Sequence, residues 1–139
     1  MPACTFFGHR DCPETIRPKL RNELTRLITE HRVDMFYIGN QGRFDALVRS
    51  VLRELQEEYP LYYTVVLAYM PQQGHEDYSD TMLPEGIESV HPRYAISWRN
   101  NWMLQQSEYV VAYVTHSWGG AAQFARKAAS QHKNIIYIK

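Results

Sequence analysis

The chain has 139 residues, 45% of them hydrophobic and 22% charged, with a formal net charge of zero. That length suits one domain with a real core and is too short for two of ordinary size. Electroneutrality argues against a dedicated nucleic-acid or membrane-surface binder, which carries a basic excess, but leaves room for a local anion site. No apolar run approaches the roughly 20 residues that span a bilayer. The opening segment, residues 1–7, lacks the basic and apolar regions of a signal peptide. Cys4 and Cys12 read as reduced thiols of a cytosolic (cytoplasmic) protein. Ten tyrosines and three tryptophans point to aromatic walls around a cavity or an interface.

In chain order, residues 3–7 form a short apolar strand that ends at Gly8-His9-Arg10. Ile16, Leu20, Leu24, Leu27 and Ile28 then recur at helical spacing, predicting an amphipathic helix to about His31. A second strand, 35–38, closes at Gly39-Asn-Gln-Gly42. Phe44, Leu47, Val48, Val51, Leu52 and Leu55 trace the cleanest helical stripe in the chain. A third strand is expected over 63–68. Residues 70–92 carry three prolines and two glycines with no sustained period, and read as a long structureless loop, of the kind that is usually functional or mobile. A helix over 94–106 places Ile96, Trp98, Trp102 and Met103 at its apolar positions. The β-branched run 109–114 predicts a buried strand, followed by a turn with Gly119-Gly120 and a small-residue helix over 121–129. Residues 134–138 close the chain as a fifth strand. The pattern predicts one Rossmann-like α/β domain over residues 1–139. Its five-stranded, mainly parallel sheet has the expected order 3-2-1-4-5 and helices on both faces.

In such a sheet ligands bind outside the carboxyl ends of the strands, where strand order reverses. The predicted order makes the first and fourth strands neighbours there, which gathers three glycine-bearing loops at one edge. From the first come Gly8, His9 and Arg10, whose guanidinium can fork onto phosphate or carboxylate, or bond a loop carbonyl. From the second come Gly42, Arg43 and Asp45; the carboxylate either complements the helix dipole or holds a ribose hydroxyl. From the fourth come Ser117, a helix cap or phosphate ligand, and Gly119 and Gly120, an anion cradle at a helix N-terminus. His9 and His116 flank the crevice and can exchange protons. Asn100, with Arg99 and Asn101, reaches the rim. His75, Glu76, Asp77, Asp80 and His91 match no metal-ligand spacing and read as a solvated loop, so neither metal nor cofactor is expected. Trp98 and Trp102, at i and i+4, pack a core or a homodimer rather than stack on a base.

The segments Phe7-Gly8-His9-Arg10, Gly42-Arg43-Phe44-Asp45, Arg99-Asn100-Asn101-Trp102-Met103 and Gly119-Gly120-Ala121-Ala122 occur in that order. On them the chain resembles the SLOG superfamily, Rossmann-like proteins that include the DprA/Smf DNA-processing proteins and the LOG phosphoribohydrolases. It is most similar to the small stand-alone bacterial and phage-associated branch. The resemblance implies a nucleotide or nucleotide-derived ligand in the crevice, with phosphate on the double-glycine turn. LOG hydrolases show a Gly-Gly-x-Gly-Thr-x-x-Glu pattern whose glutamate acts at the ribose. Here those later positions hold Ala122, Gln123 and Arg126, and a cation cannot stabilise an oxocarbenium-like centre as a carboxylate does. DprA-like DNA binding lacks a basic stripe. The reading is therefore a module that binds or senses a nucleotide. The alternatives are a nucleotide-cleaving enzyme using Asp45, Glu76 or Asp77, and an oligomeric interaction protein with a vestigial site.

Overall fold

The apolar strand segments carry side chains that both faces of a sheet must bury, which is the pattern of a parallel sheet covered by helices on each side. The computed structural model describes residues 2–70 and 79–139. Among them the strands are β1 (Ala3–Gly8), β2 (Met35–Ile38), β3 (Tyr62–Val66), β4 (Thr81–Met82), β5 (Tyr109–Tyr113) and β6 (Asn134–Tyr137). The α-helices are α1 (Arg17–Glu30), α2 (Arg43–Leu55), α3 (Ala95–Gln105) and α4 (Gly120–Ser130), and a short 3-10 turn over Glu14–Ile16 leads into α1. The sheet order is β4-β3-β2-β1-β5-β6, with every pairing parallel.

One expectation is corrected: the sheet has six strands, not five. The sixth, β4, lies in the stretch read as a structureless loop and pairs with β3 through Val65↔Thr81 and Val66↔Met82. A two-residue strand is too short to leave a period in sequence. It is held from outside, because Arg49 on α2 grips Asp80 through two hydrogen bonds of 2.7 and 2.8 Å. The Tyr63 hydroxyl donates to the same carboxylate at 2.8 Å. Burial works against charge on Asp80, but these bonds outweigh it and hold the carboxyl below its ordinary range. His75, Glu76 and Asp77 lie outside the described residues. Of the other candidates in that stretch, Asp80 is thus engaged by Arg49, and His91 Nδ1 accepts from the Arg93 amide.

The core falls on both faces of the sheet. Leu20, Leu24 and Leu27 of α1 and the stripe of α2 pack with Cys4, Phe6, Phe36 and Val111. On the other face Met103 and Leu104 of α3 and Phe124 and Ala128 of α4 pack with Phe7 and Val110. Trp102 borders this second cluster, edge-on to Tyr37. Trp98 belongs to a third, smaller one around Ala68, Ile87 and Ala95. Both cysteines are free and buried; burial pushes the Cys12 thiol up to about 11 and Cys4 higher still. Among the described residues no helix is long and apolar enough to cross a membrane.

Candidate functional site

Strand order reverses between β1 and β5, and a cavity of about 400 Å³ opens outside the carboxyl ends of these strands. Its wall takes in Gly8, His9 and Arg10 after β1, Gly39 and Gln41 after β2, Asp45 of α2, and Arg99 and Asn100 of α3. His116, Trp118 and Gly119, between β5 and α4, and Gly120, the first residue of α4, also line it. Nine sequence-predicted residues thus share one cavity: Gly8, His9, Arg10, Asp45, Arg99, Asn100, His116, Gly119 and Gly120. Gly42, Arg43 and Ser117 stay outside its lining. Arg43 borders a separate hollow with Glu14, Arg17 and Ser50, while its backbone amide donates to the Arg10 carbonyl. Ser117 neither caps α4 nor lines the cavity; its carbonyl accepts from Arg126 Nη1 at 2.9 Å. Arg126 therefore ties down the turn before α4.

Two of the helices that begin at this edge, α2 and α4, start from a glycine in nearly the same conformation, Gly42 at φ 94°, ψ −173° and Gly119 at φ 93°, ψ 171°. That region is essentially reserved for glycine. It replaces the usual Ser, Thr or Asp cap, and neither helix has a side-chain cap. With glycine at the cap position the lost side-chain bond costs only a few tenths of a kcal/mol. The six buried side chains of α2 offset this easily, at roughly 1.5–3 kcal/mol each. The two N-termini then differ in their surroundings. At Gly42 an added Cβ would lie 2.7 Å from the Arg10 backbone, so α2 is closed against the first loop. At Gly120 an added Cβ would meet nothing within 4 Å. The N-terminus of α4 is open, and offers backbone N–H groups and a positive dipole end to the cavity.

Arg99 is the principal residue that the sequence reading undervalued, placed there only at the rim. It is 1% exposed. Its guanidinium donates to the Val66 carbonyl at 2.8 Å, to Asn40 Oδ1 at 3.1 Å and to Asn100 Oδ1 at 2.9 Å. The signal was legible: Ala95, Arg99 and Met103 follow at i, i+4 and i+8 on the buried stripe of α3. An arginine on such a stripe requires buried acceptors. Burial lowers its pKa, and the charge of Asp45 works the other way. Asp45 itself is half-buried, and Oδ2 accepts the Gln41 amide at 2.9 Å. Burial pushes its carboxyl up to about 6, against the pull of that amide and of Arg99. Arg10 is exposed and reaches Gln41 Oε1 at 3.3 Å, so its guanidinium is placed at the solvent side of the cavity.

A three-ring ladder forms the remaining wall. His9 stacks on His116 with centroids 3.7 Å apart and planes at 16°. His116 stacks in turn on Trp118 at 3.8 Å and 19°. His9 Nε2 and His116 Nδ1 are buried with no hydrogen-bond partner among the described residues. Burial, then the neighbouring charge of His116, lowers the His9 pKa and favours the neutral ring. Parallel imidazole planes do not direct two lone pairs at one ion. Among the described residues there is also no group of three or more His, Cys, Asp or Glu placed to hold a metal.

Sheet order, helix placement and a crevice at the switch point define a single Rossmann-like α/β domain, the fold shared with the solved structures below. No protein-family model matches the chain, and no curated protein matches it in sequence. Solved structures similar to it include DNA processing protein A (DprA) from Streptococcus pneumoniae. The TM-score is 0.73 at 12% identity, over 99% of this chain and 50% of that one. The molybdenum cofactor carrier protein from Chlamydomonas reinhardtii aligns with a TM-score of 0.64 at 18% identity, over 99% of this chain and 76% of that one. The chain thus spans half the length of the DprA chain.

Proposed function

We propose that the protein binds a nucleotide or nucleotide-derived ligand in the switch-point cavity, with a phosphate on the Gly119-Gly120 turn. The observation that carries this reading is the open N-terminus of α4, without a side-chain cap, at the same cavity as Arg10 and His9, whose Nε2 has no hydrogen-bond partner among the described residues. Backbone N–H groups and a guanidinium are the usual recognition set for a phosphate. Gly42, Arg43 and Ser117 have no part in it. That one structural neighbour is a cofactor carrier accords with small-molecule binding. Calorimetric titration with adenosine monophosphate, ADP-ribose and a cyclic nucleotide tests the reading. Arg10→Ala should weaken binding at least tenfold while leaving the melting temperature within a degree or two; unchanged affinity sinks the assignment.

A second reading rests on Asp45. A cavity-wall carboxyl pushed up to about 6 can accept or donate a proton near neutrality. Release of free base from a nucleoside monophosphate, lost in Asp45→Asn with binding retained, would make the protein an enzyme. Binding without turnover in the wild type leaves it a binding module. Homodimerisation is a separate proposal, read from light scattering; Trp98 and Trp102 pack partly within the chain and keep some exposed surface, so loss of a dimer in Trp102→Ala would assign the interface to their helix and a surviving dimer would exclude it.

A further inference from the structure

The His9–His116–Trp118 ladder ends on an open ring. His116 covers one face of the Trp118 indole at 3.8 Å, yet Trp118 remains 69% exposed. The face turned away from His116 is therefore the exposed one. An indole face open at a cavity wall offers a large, flat apolar surface on which a second planar ring can stack. The residue that follows Trp118 is Gly119, the N-cap of α4, so the ring lies directly beside the phosphate cradle. His116 links the two features, since a Cβ added at Gly119 would lie 3.8 Å from its Cε1. Arg126 holds the residue before Trp118 through the Ser117 carbonyl.

We infer that Trp118 is the specificity-determining residue of this site: a planar heteroaromatic ring of the ligand stacks on its outer face as the fourth layer of the ladder. The inference rests on the phosphate reading above and narrows it. The ligand must carry both an anionic group for the α4 N-terminus and a flat ring within reach of it, so sugar phosphates and inorganic anions are poor ligands. The two imidazoles back the indole from behind and keep it from folding down onto the protein. Stacking of this kind tolerates any base, because each has a π face. The ladder therefore selects for a ring without choosing which ring.

The test compares adenosine monophosphate with ribose 5-phosphate on wild type, Trp118→Ala and Trp118→Phe by calorimetry, with tryptophan emission as a second readout. In the wild type the nucleotide binds more tightly than the sugar phosphate. Trp118→Ala lowers nucleotide affinity by about 5- to 150-fold and leaves ribose 5-phosphate unchanged, while Trp118→Phe retains most of the nucleotide affinity. The nucleotide quenches emission in the wild type but not in Trp118→Phe. Equal affinity for the two phosphates, or a Trp118→Ala loss shared equally by both, overturns the stacking role and leaves the phosphate site standing. Failure of the wild type to bind either compound overturns the phosphate site and this inference together.

Discussion

Asp45→Asn isolates the electrostatics of the cavity wall. The carboxyl is pushed from 3.8 to about 6 in the folded protein, chiefly by burial. The native state therefore holds its proton more tightly than the unfolded chain does. As pH rises through 3.8 the unfolded state releases that proton first, and the wild type loses stability until the native group also ionises near pH 6. Below about pH 3.8 this contribution is fully present; above about pH 7 it is gone. At about 1.36 kcal/mol per pH unit, the loss over that window amounts to about 3 kcal/mol. Asparagine occupies nearly the same volume and does not ionise. Urea unfolding of both proteins between pH 4 and 8 cancels every other titrating group in the difference. Asp45→Asn minus wild type should climb by about 2.4 kcal/mol between pH 4 and 7, the first part of the loss having occurred below pH 4, and then level off. A flat difference curve refutes the description of Asp45 as a carboxyl whose charge the fold disfavours. A falling curve would mean that Arg99 and the Gln41 amide outweigh burial.

Arg99→Met should lower stability by about 3–5 kcal/mol, because the acceptors of Val66, Asn40 and Asn100 lose their donor while Asp45 loses its nearest cation. A melting temperature within about two degrees of wild type would show that the guanidinium is not held as described. Gly119→Ala forces a side chain into a region reserved for glycine and should cost about 1–3 kcal/mol, measured by denaturant midpoint. The neighbouring change, Gly120→Ala, is the contrast. It meets open space in the first turn of α4, so stability should hold or rise by about 0.5–1 kcal/mol while anion affinity falls. Loss of stability at Gly120 and not at Gly119 would reverse the assignment of cap and cradle.

Much of this protein was legible in its sequence because the responsible physics is local. Periods of apolar residues placed five strands and four helices, since a half-buried helix must repeat near 3.6 and a doubly covered strand must be apolar throughout. The order of the predicted five strands followed from the connection rules, and the crevice between β1 and β5 followed from the order. What tertiary structure alone decided depends on partners distant in the chain. β4 exists because Arg49 and Tyr63 hold Asp80. Arg43 and Asp45, two residues apart on one helix, part company because the turn of α2 sends Asp45 to the cavity and Arg43 to another hollow. Gly42 and Gly119 share a backbone conformation, yet only the α4 end is open, because the first loop closes against α2. Arg99 became central through three acceptors contributed by β3, the loop after β2 and its own helix. The adjacency of β1 and β5 was legible, but the stacking of His9, His116 and Trp118 was not, because it depends on how the two loops after those strands fold against each other, about a hundred positions apart in the chain.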